Sequence, residues 1–119
     1  MRADVTATAG GGIEGVVIIP ALNEATRLGS LIARAREPAP TPAVLVVDDG
    51  SRDETAAVAR AHGACVVSHP FNLGYGAALQ TGYKYAVRAG YHYLVQMDAD
   101  GQHDPADIER LLAPLRAGA

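Results

Sequence analysis

The sequence has a single cysteine, no excess of basic charge, no long apolar run and no glycine-rich phosphate loop of the common kinds. Each absence removes a class of protein. One cysteine, Cys65, excludes an internal disulfide and is compatible with a reducing compartment. Its setting in "GACVVS" is that of an inert core residue. A net charge of -3 and an isoelectric point near 5.7 leave no electrostatic footprint for nucleic acid, so no nucleic-acid partner is expected. A polyanionic ligand would therefore need a local device, a metal ion or a helix N-terminus. No stretch approaches the roughly 20 apolar residues of a transmembrane helix. The N-terminal "MRADVTATAGGGIEG" lacks the apolar core of a signal peptide, and residues 1–14 read as a flexible tail.

What remains is one domain's worth of chain, 119 residues of which 49% are apolar. Strand and helix patterns alternate. "GVVIIP" is a β-branched run stopped by Pro20, and Leu28, Leu31, Ile32 and Ala35 follow at i, i+3, i+4 and i+7. "EPAPTPA" breaks that helix before the strand "VLVVDD". Ser51-Arg52-Asp53-Glu54 fits a capping box for a helix running to about His62, with Gly63 at its end. "ACVVS" is the third strand, "YGAALQTGYKYAVRA" a helix ended by Gly90, and "YLVQM" the fourth strand. Asp104 and Pro105 start a last helix whose stripe is Ile108, Leu111, Leu112 and Leu115. The order βαβαβαβα, with near-continuous Val/Ile/Leu strands and no hairpin turns, predicts an α/β fold. Its sheet is mostly parallel and has helices on both faces.

Such sheets bind ligands beyond the carboxyl ends of their strands, where strand order reverses. Here "PALNE", "DDGS" and "DADGQ" follow strands one, two and four, and all would open onto one edge. The opposite edge, "EPAPTPA", "HGA" and "AGYH", has no comparable cluster. Asp98, Asp100 and Gln102 alternate along an extended exit from strand four, so they can present oxygens to one point. Mg2+ and Mn2+ take hard oxygen ligands, commonly one or two carboxylates with water and substrate phosphate. Asp104 needs no such explanation, since it caps the helix begun by Pro105. Asp48 or Asp49 could accept hydrogen bonds from a ribose or base edge, the alternative being that Asp48 or Asp53 only satisfies loop amides. Glu24 could bind a sugar hydroxyl or a base, with Asn23 beside it as the helix N-cap.

Other phosphate and metal motifs fail on position. An EF-hand would need glycine where His103 stands and a helix where the strand lies. "NLGYGAALQTG" has Leu79 in place of the third glycine of a dinucleotide loop and follows strand three, not strand one. Gly76 and Gly82 are expected to allow close helix packing, with Asn72 and Gly74 in a loop. No Gly-Lys-Ser/Thr of a Walker A loop occurs, and His62, His69, His92 and His103 show no ligand spacing.

Four segments in order, "VVIIPALNEA", "VVDDGSRDET", "FNLGYGAALQTGYKYA" and "DADGQHDPADI", resemble the N-terminal, nucleotide-binding half of a family 2 glycosyltransferase. This is a Rossmann-like GT-A fold, and the resemblance is to its polyprenyl-phosphate (dolichol-phosphate mannose synthase-like) branch. It implies residues 15–119 as the donor-binding part of a longer domain, with a UDP- or GDP-linked sugar donor. Pro20, Ala21, Leu22 and Glu24 would line the nucleoside pocket with Val47 and Asp49. Leu22 stands where some relatives carry tyrosine. Asp98, Ala99, Asp100 and Gln102 would sit at the diphosphate, with Asp98, Asp100 and Gln102 at its Mg2+ or Mn2+. The implied reaction is inverting sugar transfer to a polyprenyl phosphate, an acceptor already ionised and needing no general base. The resemblance assigns no catalytic base within these residues.

Family members are longer, so weak or no transfer by this chain alone and self-association through an unfinished sheet edge are the expectations. The expected location is the cytoplasm, at the inner face of the membrane through peripheral contact. A non-catalytic nucleotide- or metal-binding module, or an inactive fragment, is the alternative function. A sugar nucleotidyltransferase would carry a basic, Gly-rich segment where "PALNEATR" stands. A phosphorelay receiver would have its acidic pair after strand one.

Overall fold

The computed structural model describes residues 15–37 and 41–99. Seven elements follow in order: β1 (Gly15–Ala21), α1 (Ala25–Ala35), β2 (Ala43–Asp48), α2 (Thr55–Ala61), β3 (Cys65–Ser68), α3 (Tyr75–Ala89) and β4 (Tyr93–Gln96). The expected last helix, with His103 and Asp104, and the N-terminal tail lie outside the described residues.

The strands form one sheet in the order β3-β2-β1-β4, and every pairing is parallel. β1 is buried along its whole length, and successive residues serve opposite layers. Val17, Ile19 and Ala21 pack with Leu28, Leu31, Ile32 and Ala59 beneath α1 and α2. Val16 and Ile18, with Leu45 and Val47, pack against Ala78 and Ala86 of α3. Burial on both faces is why these strands read as unbroken apolar runs rather than alternating ones. The stripe expected for α1 is the buried stripe: Leu28, Leu31, Ile32 and Ala35, joined by Gly29.

Topology dictates which helix goes where. The connections β1-α1-β2 and β2-α2-β3 step outward in one direction. The next connection must return from β3, over β2 and β1, to place β4 on the far side of β1. α3 makes that crossing on the opposite face, against β1 and β2. Its 15 residues span about 22 Å at 1.5 Å per residue, enough to cross the intervening strands. Gly82 lets it lie close: a Cβ there would sit 2.6 Å from Ile18 Cγ2. Gly76, expected to do the same, has nothing within 4 Å of such a Cβ, so close packing belongs to Gly82 alone of the pair.

Two other expectations change. Ser51 does not cap α2, whose first flanking residue is Glu54 without a side-chain cap bond. The local signature is spent on contacts across to the neighbouring loop instead. Cys65 is exposed at the start of the outer strand β3, not in the core, because among the described residues β3 has a neighbouring strand on one side only.

Candidate functional site

Strand order reverses between β1 and β4, and the loops leaving those strands part there. The ladders run one step past the strands. Asp49 N–H donates to the Ala21 carbonyl at 2.9 Å, His69 N–H to that of Asp48 at 2.8 Å, and Met97 N–H to that of Ile18 at 2.9 Å. The residues that follow are thereby held at a common edge. A cavity of about 400 Å³ opens there, within the usual range for small-molecule sites. Pro20, Ala21, Leu22 and Glu24 come from the β1 exit, Asp49 from that of β2, and Asp98 and Ala99 from that of β4. Asn72, Gly74, Tyr75 and Ala78 complete the wall from the start of α3.

The loops after β1 and β2 are stitched to each other. Asn23 N–H donates to Ser51 Oγ at 2.8 Å, and Asn23 Oδ1 accepts from Arg52 N–H at 2.8 Å. Glu24 N–H donates to Thr55 Oγ1 at 2.9 Å, and Ala25 N–H to Asp53 Oδ2 at 3.2 Å. Asp53 therefore meets the first amide of α1 from another loop, while its Oδ1 accepts from the Thr55 amide and hydroxyl. The hydroxyl foremost, with the Thr55 and Ala25 amides, holds the Asp53 carboxyl below its ordinary pKa. Asn23, expected as the α1 N-cap, instead takes a left-handed turn (φ 55°) that aims its amide at Arg52. Glu24 is the flanking residue of α1 and is half-buried at the cavity, with its carboxylate 3.0 Å from Arg27 one turn on.

Asp49 and Asp98 face the same cavity under different constraints. Asp49 is buried, and its Oδ1 accepts from Leu73 N–H and from His69 Nδ1, at 2.9 and 2.7 Å. Its Oδ2 accepts from Gly74 N–H at 2.9 Å. Because a carboxylate only accepts, His69 Nδ1 carries the hydrogen, and Nε2 faces Thr81 Oγ1 at 2.9 Å. Burial pushes the Asp49 carboxyl up, but His69 and the two amides outweigh it and hold the group below its ordinary value. Asp48 is likewise turned inward, accepting from Ser51 N–H at 2.9 Å and Ser68 Oγ at 3.3 Å. Asp98 is half-buried and accepts from the Tyr75 hydroxyl at 2.7 Å. That bond foremost, with burial, raises the Tyr75 pKa, so the phenol keeps its proton.

Seven of the residues singled out in the sequence thus meet at one cavity: Pro20, Ala21, Leu22, Glu24, Asp49, Asp98 and Ala99. Val47, expected in the nucleoside pocket, is not part of the lining and is fully buried against α3. Asp100 and Gln102 lie outside the described residues. Among the described residues, no three His, Cys, Asp or Glu side chains gather as a metal site. Tyr75, Asn72 and Gly74 were not anticipated as wall, nor His69 as support. Their signal was available: "HPFNLGYG" also follows a strand's carboxyl end and so faces the same edge.

Comparison with known proteins converges on one family. The model of "Glycosyl transferase family 2" matches residues 16–119. The polyprenol monophosphomannose synthase of Mycolicibacterium smegmatis is 41% identical over 113 residues, covering 87% of this chain and 42% of that protein. The undecaprenyl-phosphate mannosyltransferase of Micrococcus luteus is 38% identical over 106 residues, covering 85% and 44%. Glucosyl-3-phosphoglycerate synthase from Mycobacterium tuberculosis, solved with Mn2+, UDP and glucosyl-3-phosphoglycerate, superposes with a TM-score of 0.68. It is 31% identical, and the match covers 91% of this chain and 41% of that one. The chain spans about two-fifths of the length of the curated relatives it matches. The matched residues include all four strands and every wall of the cavity, and on that basis the chain belongs to glycosyltransferase family 2.

Proposed function

We propose that this chain is the donor-binding part of an inverting glycosyltransferase that takes a nucleotide-diphosphate sugar and a polyprenyl-phosphate acceptor. The observation that carries the reading is the cavity at the β1/β4 switch point, where the β1, β2 and β4 exits bring an apolar floor and carboxylates together. Pro20, Ala21 and Leu22 offer a nucleoside an apolar surface, and Glu24 can accept from a ribose hydroxyl or a base N–H. Asp49 shapes the wall by holding the Leu73 and Gly74 amides, which leaves direct ligand contact to its neighbours.

The donor chemistry of Asp98 fits a divalent cation: a hard oxygen, half-buried, at the mouth of the cavity. Asp98, with Asp100 and Gln102, would hold Mg2+ or Mn2+. When bound, the ion supplies positive charge where the departing diphosphate gathers negative charge. Solved relatives carry Mn2+ or Mg2+ together with UDP, which supports the metal and a nucleoside-diphosphate donor. The two mannosyltransferase relatives support a polyprenyl-phosphate acceptor. Among the described residues no helix is long and apolar enough to cross a membrane.

Thermal unfolding with UDP and with GDP, each with and without Mn2+, tests this. A nucleotide at 100 times its dissociation constant should stabilise the chain by about 2.7 kcal/mol. Most of that gain should need Mn2+ and vanish in Asp98→Asn. A folded chain that ignores both nucleotides with Mn2+ present would end the donor-site reading.

A further inference from the structure

Behind Asp98 runs a hydrogen-bonded relay whose direction is set at each joint. The Tyr83 hydroxyl donates to Gln96 Oε1 at 2.8 Å, and Gln96 Nε2 donates to the Tyr75 oxygen at 2.8 Å. The Tyr75 hydroxyl donates to Asp98 Oδ1 at 2.7 Å. A carboxamide has one oxygen and one NH2. With Tyr83 on its oxygen, Gln96 must turn its NH2 toward Tyr75. The phenol oxygen then receives a hydrogen, and its own hydrogen is directed to Asp98. Tyr83 and Tyr75 both stand on α3, while Gln96 and Asp98 stand on and just beyond β4, so the relay also ties the helix to the strand.

We infer that Tyr75 is a positioning residue for the donor site, orienting Asp98 through the relay Tyr83–Gln96–Tyr75. This rests on the donor-site reading and deepens it, since neither Tyr75 nor Gln96 was assigned a role there. Side chains that hydrogen-bond a metal-binding carboxylate fix its orientation, and losing one costs metal affinity. Tyr75 also adjoins Gly74, whose amide Asp49 holds, so the phenol is anchored from its backbone side as well. The ring forms part of the cavity wall, and a phenylalanine preserves that wall while removing only the hydroxyl.

The test measures Mn2+ binding by the electron paramagnetic resonance of the free ion, in the presence of UDP and separately of GDP. Tyr75→Phe should weaken Mn2+-nucleotide binding about tenfold, leaving the unfolding midpoint of the unliganded chain close to wild type. Gln96→Met, which removes the donor that directs the phenol without adding charge, should weaken it less. In the Tyr75→Phe background Gln96→Met should cost nothing further, because Gln96 acts through Tyr75. Undiminished Mn2+-nucleotide binding in Tyr75→Phe, beside a wild type that binds and an Asp98→Asn variant that does not, overturns the inference alone. So does additive loss in the double variant. A wild-type chain with no Mn2+-dependent binding overturns the donor-site reading, and this inference with it.

Discussion

The carboxyl ends of β2 and β4 each place an aspartate on the wall of one cavity, and the two aspartates are built for different work. Asp49 is buried and surrounded by donors: two amides of the segment entering α3, and His69 braced by Thr81. Asp98 is half-buried and meets a phenol that is itself exposed. Two similar acidic segments in the sequence thus meet the cavity differently, one as a strut holding a loop and one half-buried beside Tyr75. The difference lies in what the fold brings against them. β2 is interior, flanked by β3 and the segment after it, whereas the exit from β4 runs beside β1 and meets α3 through Tyr75.

The contrast is tested hardest by removing the strut. Asp49→Ala leaves the Leu73 amide and the His69 imidazole without their acceptor in a buried place, while Gly74 N–H keeps Asn72 Oδ1 at 3.0 Å. It should cost about 3 kcal/mol of stability in urea denaturation. A loss under about 0.5 kcal/mol, the ordinary effect of a surface change, would mean that the segment from Phe71 to Gly74 is held by something else.

Next comes the joint between that segment and the β2 exit. Gly50 has φ +80°, and a Cβ there would lie 2.4 Å from the Phe71 carbonyl carbon. Gly50→Ala should cost about 2 kcal/mol through the left-handed backbone and the clash together. Unchanged chemical denaturation would show that the two loops are not in the contact described.

Acid titration offers a gentler probe. The folded Asp49 carboxyl titrates below its ordinary value of 3.8, so its contribution to stability is complete above that pH. It is lost as the pH falls through the lower folded value. Asp49→Asn should therefore lose less stability than the parent between pH 5 and the acid limit, roughly the window in which a depressed carboxylate titrates. Parallel stability curves for the two proteins over that range would contradict the assignment.

The smallest effect on stability belongs to the other aspartate. Asp98→Ala should cost clearly less than Asp49→Ala in the same denaturation, because Asp98 is half-buried where Asp49 is buried, while Mn2+-dependent nucleotide binding is lost. A variant destabilised as much as Asp49→Ala would erase the distinction between strut and ligand group.

Much of this was readable from residue order. The apolar runs and the stripe Leu28, Leu31, Ile32, Ala35 correspond to β1 and α1 as found, and Gly90 ends α3 where it should. Reading failed where a short polar side chain had a choice of partner. Ser51 and Asn23 carry the signature of local caps, yet they bond across to each other's loops. An oxygen that can cap its own helix can equally serve an amide some thirty residues away, and only the meeting of two loops decides which.

Periodicity and chain direction, properties of the sequence by itself, determined an alternating α/β chain. They also put "PALNE", "DDGS" and the exit from β4 through Asp98 and Ala99 on one edge of a parallel sheet, because side-chain period and strand polarity are local matters. Tertiary structure decided the rest: that β4 returns beside β1, that Cys65 lies on an outer strand, and that Asp49 braces a loop while Asp98 meets Tyr75. Those outcomes depend on which hydrogen-bond donors and neighbouring strands arrive from distant parts of the chain, and residue order alone does not specify that arrival.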